Sequence, residues 1–201
     1  HMIRCFDSSD IQNVNPTIDP VRDLEIIETE MKLADLESIQ KRLDKKNKRN
    51  TDEVQLKILE IALDCINNDK NINILNQEFD KKNLSLSGLL SIKPRIFVCN
   101  VDEESLQNGN KYTEAFIKKF GVENSLIVSA DIENQINQLD IDEKKNYMKM
   151  IGLKETRLNM LIQKGYCILE LDTYFTSGPE ETRAWTIQKN CTAAKAAGEI
   201  H

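Results

Sequence analysis

The sequence predicts an α/β protein that carries an inserted pair of helices. Residues 95–100 and 125–129 are apolar segments with strand character, and a helical pattern ending at Gly121 lies between them. This strand, helix, strand order is typical of a parallel sheet. Farther upstream, two stretches with apolar residues at helical spacing flank a short polar segment. That pattern predicts an antiparallel helical hairpin.

The chain is expected to open with a strand end at residues 2–6, followed by an acidic, Asn-rich loop to residue 17. Asp19 can act as an N-cap and Pro20 favours the first helical position, so a helix is predicted to begin there. The apolar stripe that follows predicts a helix of roughly 25 residues.

The second half of the hairpin has its own start and stop signals. Residues 45–50 lack apolar side chains and predict a turn, after which Thr51 is expected to cap the second helix. An Asn-rich segment follows, and a further helix is expected to reach residue 92. Lys93 ends it, because a residue that precedes proline avoids helical angles.

The remaining elements follow the same periodicities. A helix is predicted over 112–120, and two or three helices are expected within 132–171. Residues 174–176 and 182–187 flank a Gly-Pro turn and predict a β-hairpin. Residues 192–198 predict the start of a final helix.

Composition limits the class of protein. At 201 residues, 40% hydrophobic and 30% charged, the chain can bury one core of ordinary size, alone or with an extension. Its longest apolar runs are shorter than the ~18 residues that span a membrane, and no secretion signal opens the chain. We therefore expect a soluble, cytoplasmic protein with no membrane partner.

The metal-binding and redox-active residue types are scarce. The histidines are the two terminal residues, which argues against a His-based catalytic or metal site. The five cysteines are scattered without a C-x-x-C pair, so we expect reduced thiols, no disulfide partner and no zinc site. They are Cys5, Cys65, Cys99, Cys167 and Cys191. Cys99 is expected to be a buried, unreactive strand residue.

Charge is unevenly distributed along the chain. The net charge is −6, but residues 41–49 carry +5 and the rest of the chain carries −11. The basic residues of this segment are Lys41, Arg42, Lys45, Lys46, Lys48 and Arg49. They are candidates for contact with RNA phosphates, and the alternative is a solvated turn. Because no aromatic side chain interleaves them, base-specific recognition of RNA is not expected.

Polar residues end both predicted strands of the parallel sheet. Asn100 is followed three residues later by Glu103, and Ser129-Ala130 ends the second strand 29 residues after Asn100. GTPase-type domains hold a purine base with such a pair of strand ends. In the guanine-specific motif Asn-Lys-x-Asp, the Asp accepts hydrogen bonds from guanine. Here the acid is one methylene longer and Val101 replaces the Lys, so the guanine clamp is weakened.

The predicted base-site residues are Asn100, Val101, Glu103, Ser129 and Ala130. Asn100 is assigned to the base or to pinning the neighbouring loop. Val101 is assigned to packing on the purine face with its backbone groups toward the base edge, and Ser129-Ala130 to backbone contacts. An alternative stays open, in which Asn100 only ends a strand and caps a loop, and Ser129 is the N-cap of the next helix.

No phosphate site accompanies these residues in the sequence. None of the seven glycines is followed by Lys, so the chain lacks a G-x-x-x-x-G-K-[ST] loop. No glycine has an Asp three positions before it, so the chain also lacks the Asp-x-x-Gly motif that usually places Mg²⁺. We therefore predict no catalytic or metal residue, and no tight nucleotide binding by this chain.

Four segments closely resemble the YchF-type Obg-like ATPases, and the similarity runs from end to end. They are DPVRDLEIIETE at 19–30, LADLES at 33–38, CNVDE at 99–103 and TYFTSGPEETRAWTI at 173–187. In that family a P-loop nucleotide domain is interrupted by a helical hairpin and followed by a ubiquitin-like TGS domain. The resemblance implies a partial P-loop NTPase sheet with the inserted hairpin and the beginning of TGS.

The resemblance also implies boundaries and function. Residues 1–17 and 93–171 would belong to the nucleotide-binding domain, 18–92 to the hairpin and 172–201 to TGS, with Phe175 and Trp185 expected in the TGS core. The intact family hydrolyses ATP or GTP with Mg²⁺ and associates with the ribosome or RNA. This chain is expected to be an inactive fragment that holds the base-recognition part. The alternative is a binding module for RNA or the ribosome, without chemistry.

Overall fold

The computed structural model describes residues 1–9, 11, 15–44 and 52–199. The chain divides into two compact units, one of residues 1–20 and 94–201 and the other of residues 21–93. The first unit contains the parallel sheet, and we call it the sheet unit. The second contains helices, and we call it the helical unit.

The described residues of the helical unit form four α-helices and a short 3₁₀ turn at Ile72–Ile74. The helices are α1 (Pro20–Asp44), α2 (Glu53–Asn67), α3 (Leu75–Glu78) and α4 (Lys81–Ser87). The predicted start of α1 at Pro20 is confirmed. The predicted capping of α2 by Thr51 is wrong, because the side chain of Asp52 accepts the hydrogen bond from the Val54 amide. The turn predicted at 45–50 lies outside the described residues.

The single helix predicted to reach residue 92 is also wrong. Phe79 is extended, with φ −126° and ψ 149°, and it separates α3 from α4. Asp80 then caps α4, and Gly88 ends it with a left-handed φ of +69°. A glycine is favoured at that position because it has no Cβ to strain the backbone.

One apolar cluster forms the core of the helical unit. Its buried residues are Ile39, Ile58, Leu59, Ala62, Leu75, Leu84, Leu89 and Ile92. Asp35 of α1 is only 2% exposed, and its two carboxylate oxygens accept hydrogen bonds from the amides of Leu90 and Ser91, both at 2.8 Å. This charged side chain therefore attaches the segment after α4 to α1.

Three short parallel strands form a sheet in the described part of the sheet unit. They are β1 (Met2–Arg4), β2 (Phe97–Asn100) and β3 (Ser125–Val128), in the order β1-β2-β3. In β2 the residues Phe97, Val98 and Cys99 are all buried, as expected for a central strand covered on both faces. The predicted parallel strand, helix, strand unit is confirmed, with strands shorter than predicted.

Helix α5 (Lys111–Phe120) connects β2 to β3. Asn110 caps it by accepting hydrogen bonds from the amides of Tyr112 and Thr113, and Thr113 completes a capping box. Gly121 ends the helix with φ +87°, as the sequence predicts. Three more helices follow β3, namely α6 (Ala130–Gln138), α7 (Ile141–Met150) and α8 (Arg157–Ile168).

The described part of the chain ends in a β-hairpin and a short helix. The hairpin pairs β4 (Leu171–Ser177) with β5 (Thr182–Gln188), and α9 spans Ala193–Gly198. The expected burial of Phe175 is wrong, because its side chain is 70% exposed. Trp185 pairs with Tyr174, so strand alternation places Trp185 and Phe175 on opposite faces. Trp185 is half-buried, donates to Thr176 Oγ1 at 2.9 Å and lies under Arg183.

The five cysteines are free thiols. Cys5 and Cys99 are fully buried neighbours in the sheet unit, which confirms the predicted burial of Cys99. The hydrogen bond with Cys99 and the burial both raise the pKa of the Cys5 thiol well above its usual range. Among the described helices, none combines the length and the apolar character needed to cross a membrane.

Candidate functional site

The polar residues that end β2 and β3 meet at the carboxyl edge of the sheet. Asn100 lies opposite Val128 in the strand register, and its Oδ1 accepts a hydrogen bond from the Ala130 amide at 3.0 Å. The Val101 amide donates to the Val128 carbonyl at 2.9 Å. The loop after β2 is thus held against the start of α6. Pinning of the neighbouring loop, one of the two roles considered for Asn100, is what the structure shows.

Ser129 is the N-cap of α6, as the alternative interpretation predicted. Its Oγ accepts from the Ile132 amide at 3.5 Å, and the residue is 1% exposed. Its hydroxyl is therefore turned into the protein and used locally. Ala130 is exposed beside it. Backbone contact of these two residues with a ligand stays a prediction.

Val101 is poorly placed for its predicted role. The residue is 3% exposed, so almost none of its side chain is available to pack against a ring. The next residue, Asp102, accepts a hydrogen bond from the Ser105 amide at 2.9 Å and closes a turn. This turn leaves Glu103 exposed at the surface.

Glu103 contacts α6 through a chain of hydrogen bonds. Gln135 Nε2 donates to Glu103 Oε1 at 2.6 Å, and the Tyr147 hydroxyl donates to Gln135 Oε1 at 2.6 Å. Neither Gln135 nor Tyr147 was found by the sequence reasoning. Both are polar positions on helices, and nothing in their spacing separates them from an ordinary solvated face.

The loop that carries Glu103 is anchored to the protein by the two residues Leu106 and Gln107. Leu106 packs in a buried cluster with Ile132, Ile136 and Leu153. Gln107 Nε2 donates to the Ile151 carbonyl at 2.6 Å. Gly152 has φ +73°, and a Cβ there would lie 2.8 Å from Gln107 Nε2, so a glycine allows this close approach.

Glu133 joins α6 to the start of α8. It is 8% exposed, and its Oε1 accepts from the Arg157 amide at 2.7 Å. A carboxylate is favoured there because the amino end of a helix carries partial positive charge. Glu133 Oε2 and Arg157 Nε are buried without a hydrogen-bond partner among the described residues.

The six basic candidate residues are only partly described. Lys41 forms an ion pair with Glu37 one turn earlier in α1. Arg42 donates a hydrogen bond to the Ser87 carbonyl. Lys45, Lys46, Lys48 and Arg49 lie outside the described residues. Within the described ranges, no group of three His, Cys, Asp or Glu residues is arranged to hold a metal ion.

The architecture is that of a GTPase-type α/β protein, with a parallel sheet whose carboxyl edge bears Asn100 and with helices inserted between β1 and β2. A family model named YchF-GTPase_C, described as a protein of unknown function (DUF933), matches residues 171–201. The whole chain is also similar to longer proteins of the YchF family.

Three relatives illustrate the similarity. Proteins named "Ribosome-binding ATPase YchF" from Haemophilus influenzae and Bacillus subtilis are 36% and 33% identical to this chain over 211 aligned residues each. The solved structure of the Schizosaccharomyces pombe YchF GTPase matches with a TM-score of 0.78 at 28% identity. All of this chain aligns in each case. It spans 57% of the H. influenzae and S. pombe proteins and 58% of the B. subtilis protein.

Proposed function

We propose that this chain carries the purine-base-recognition part of a ribosome-associated protein that, when intact, hydrolyses ATP, GTP or both with Mg²⁺. Similarity along the whole chain to proteins named as ATPases supports the reaction class, and the names of the bacterial relatives support the ribosome as partner. A cytoplasmic location follows from such a partner. The domain boundaries implied by the resemblance are retained as part of the proposal, and the separation of residues 21–93 as a compact unit supports them.

The contact between Asn100 and Ala130 carries this proposal. It uses the Asn100 Oδ1 atom, while the Nδ2 group has no hydrogen-bond partner among the described residues. Nδ2 therefore offers two N–H donors at the carboxyl end of a parallel strand, which is where α/β proteins bind ligands. The N7 atom of both adenine and guanine is an acceptor. Asn100 is thus suited to hold a purine without choosing between the two bases.

Base choice would depend on Glu103. A carboxylate only accepts hydrogen bonds, and guanine offers it N1–H and a 2-amino group. Adenine has an acceptor at N1, so a carboxylate aimed there would stay unpaired. Since Gln135 already occupies one oxygen of Glu103, the guanine clamp is compromised. We propose that the intact protein accepts ATP at least as well as GTP.

The base site alone should bind weakly. A micromolar dissociation constant needs about −8 kcal/mol, whereas each base hydrogen bond contributes a net ~0.5–1.5 kcal/mol. The sequence has no G-x-x-x-x-G-K-[ST] loop to bind phosphates. We therefore expect millimolar binding of mononucleotides to this chain and no tight ATP complex.

The test is a titration of the 201-residue chain with AMP, followed by NMR. We expect shifts of the amide resonances of Asn100 and Ala130 at millimolar AMP. Asn100→Asp keeps an oxygen for the Ala130 amide but replaces the N–H donors, so AMP binding should weaken by about tenfold. Asn108→Asp changes an exposed amide on the same loop and serves as the control. Shifts confined to other regions would contradict the base site.

A second candidate function is a binding module for RNA or the ribosome that performs no chemistry. The net charge of +5 in residues 41–49 favours it. Lys41 and Arg42 have partners inside the helical unit, so phosphate contact would fall mainly to Lys45, Lys46, Lys48 and Arg49. The two functions are compatible in one protein, and the salt dependence of RNA binding tests this one separately.

A further inference from the structure

We propose that Gln135 and Tyr147 set base specificity by holding the Glu103 carboxylate away from guanine. The inference rests on the proposed base site and adds two residues to it. The observation behind it is the chain of hydrogen bonds from Tyr147 through Gln135 to Glu103, with both links at 2.6 Å. We call these three residues the acid relay.

The relay has one consistent orientation. A carboxylate cannot donate, so Gln135 must present its NH₂ group to Glu103 and its oxygen to the opposite side. The Tyr147 hydroxyl donates to that oxygen. A hydrogen bond to an ionised acceptor is stronger than a neutral one, and a chain of such bonds polarises each member. The Glu103 side chain is thus held against α6.

The backbone around the relay favours the same position. Leu106, three residues after Glu103, is buried with Ile132 and Ile136 of α6. Tyr147 packs against this cluster from α7. The loop, α6 and α7 therefore share one apolar contact, and the polar relay lies at its edge. Each relay residue starts from an anchored backbone, which lowers the entropy lost in aligning the three side chains.

The chemical consequence differs between the two purines. To accept from guanine N1–H and the 2-amino group, both Glu103 oxygens would have to turn to the base, and this reorientation competes with the bond from Gln135 to Oε1. Adenine binding does not require this reorientation, because adenine has neither an N1–H nor a 2-amino group. The relay thus lowers the affinity for guanine nucleotides and leaves that for adenine nucleotides nearly unchanged.

The experiment measures AMP and GMP affinities of the full 201-residue chain by NMR titration, with Gln135→Met as the main variant. Met keeps the length of the side chain and removes its hydrogen bonds. GMP should bind about fivefold more tightly and AMP should change by less than about twofold. Tyr147→Phe leaves Gln135 in place but unsupported, so it should raise the GMP affinity by about twofold.

Two controls identify the cause. Gln138→Met makes the same change on the same helix at a side chain that donates to Asn134, so both affinities should stay as in the wild type. In a Glu103→Ala background, Gln135→Met should have no effect on GMP. The NMR resonance of the Gln135 side-chain amide should also move in Glu103→Ala relative to the wild type, because the variant removes the acceptor of its hydrogen bond.

The outcomes separate the two proposals. If AMP and GMP shift Asn100 and Ala130 in the wild type, but Gln135→Met leaves the ratio of their affinities unchanged or lowers GMP binding, only the relay proposal is overturned. If neither mononucleotide shifts those residues, the base site and the relay proposal fail together. A rise in GMP affinity that persists in the Glu103→Ala background would also overturn the relay.

Discussion

The helical unit and the sheet unit use their polar side chains in different ways. In the helical unit, Asp35 is 2% exposed and both of its oxygens accept backbone amides. In the sheet unit, Asn100 is only half-buried and uses its oxygen alone, while its N–H donors have no partner among the described residues. Each side chain joins two segments that are distant in sequence, but only Asn100 keeps hydrogen-bonding capacity for a ligand.

The unused hydrogen-bonding groups of a polar side chain distinguish a residue that binds a ligand from one that only stabilises the fold. A buried side chain whose hydrogen bonds are all used inside the protein stabilises the fold, and its removal leaves buried amides unpaired. A side chain at the edge of a sheet can leave its donors unpaired at little energetic cost, because water can reach them. Those donors are then available to a ligand.

The largest expected effect is on the stability of the helical unit. Asp35→Ala leaves the Leu90 and Ser91 amides without their acceptor, so the free energy of unfolding should fall by about 3 kcal/mol. Urea denaturation followed by circular dichroism measures the change. Glu37→Ala, on the same helix, removes only the exposed ion pair with Lys41, which solvent screens, so it should change the stability far less than Asp35→Ala. Equal losses in the two variants would refute the structural role of Asp35.

A smaller effect is expected for the basic segment, in the salt dependence of RNA binding. Single-stranded RNA affinity falls with log salt by about 0.7 per neutralised phosphate. Replacing Lys45, Lys46 and Lys48 by Ala should therefore make the slope shallower by about 2, to a similar extent for RNAs of different sequence. Fluorescence anisotropy at several salt concentrations measures the slope.

The control for this triple variant removes the same charge elsewhere in the helical unit. Replacing Lys57, Lys81 and Lys82 by Ala lowers the net charge equally, so a slope that reports local phosphate contacts should stay as in the wild type. If both triple variants change the slope by the same amount, the basic segment has no special role and RNA responds only to overall charge.

The smallest effect concerns acid stability. The amide of Asn83 donates to Asp80 and, with the Asn83 side chain, lowers the pKa of that carboxyl. A depressed pKa in the folded state contributes stability that is present above about pH 4 and lost as the pH falls through the folded value. Asp80→Asn should thus lower Tm slightly at pH 7 and leave it unchanged at pH values below the folded pKa. A Tm difference that is constant with pH would contradict this linkage.

Local signals in the sequence predicted several elements correctly. Pro20 starts α1, Gly121 ends α5, and the apolar run before Asn100 is a central parallel strand. These features follow from backbone angles and burial, which neighbouring residues largely determine. The N-cap role of Ser129 is a local signal of the same kind. The cap of α2 was misjudged because Thr51 and Asp52 are both good N-cap residues and lie side by side.

Local signals were less informative about exposure. The sequence predicts that Val101 packs against a ligand, but its side chain is buried, and it predicts that Phe175 lies in a core, but its side chain is exposed. The identity of a single apolar residue does not predict which helix or strand packs over it. Its burial depends on which surfaces the chain brings against it, and periodicity does not contain that information.

The α/β class, the polar residues Asn100 and Ser129 at the ends of the parallel strands, and the resemblance to one family can all be read from the amino-acid order. What those residues contact depends on the folded arrangement of the chain. Glu103, Gln135 and Tyr147 come from the loop after β2, from α6 and from α7. Along the chain each is an ordinary polar residue. They form a relay because the packing of Leu106 and Tyr147 with the buried face of α6 brings three distant segments together.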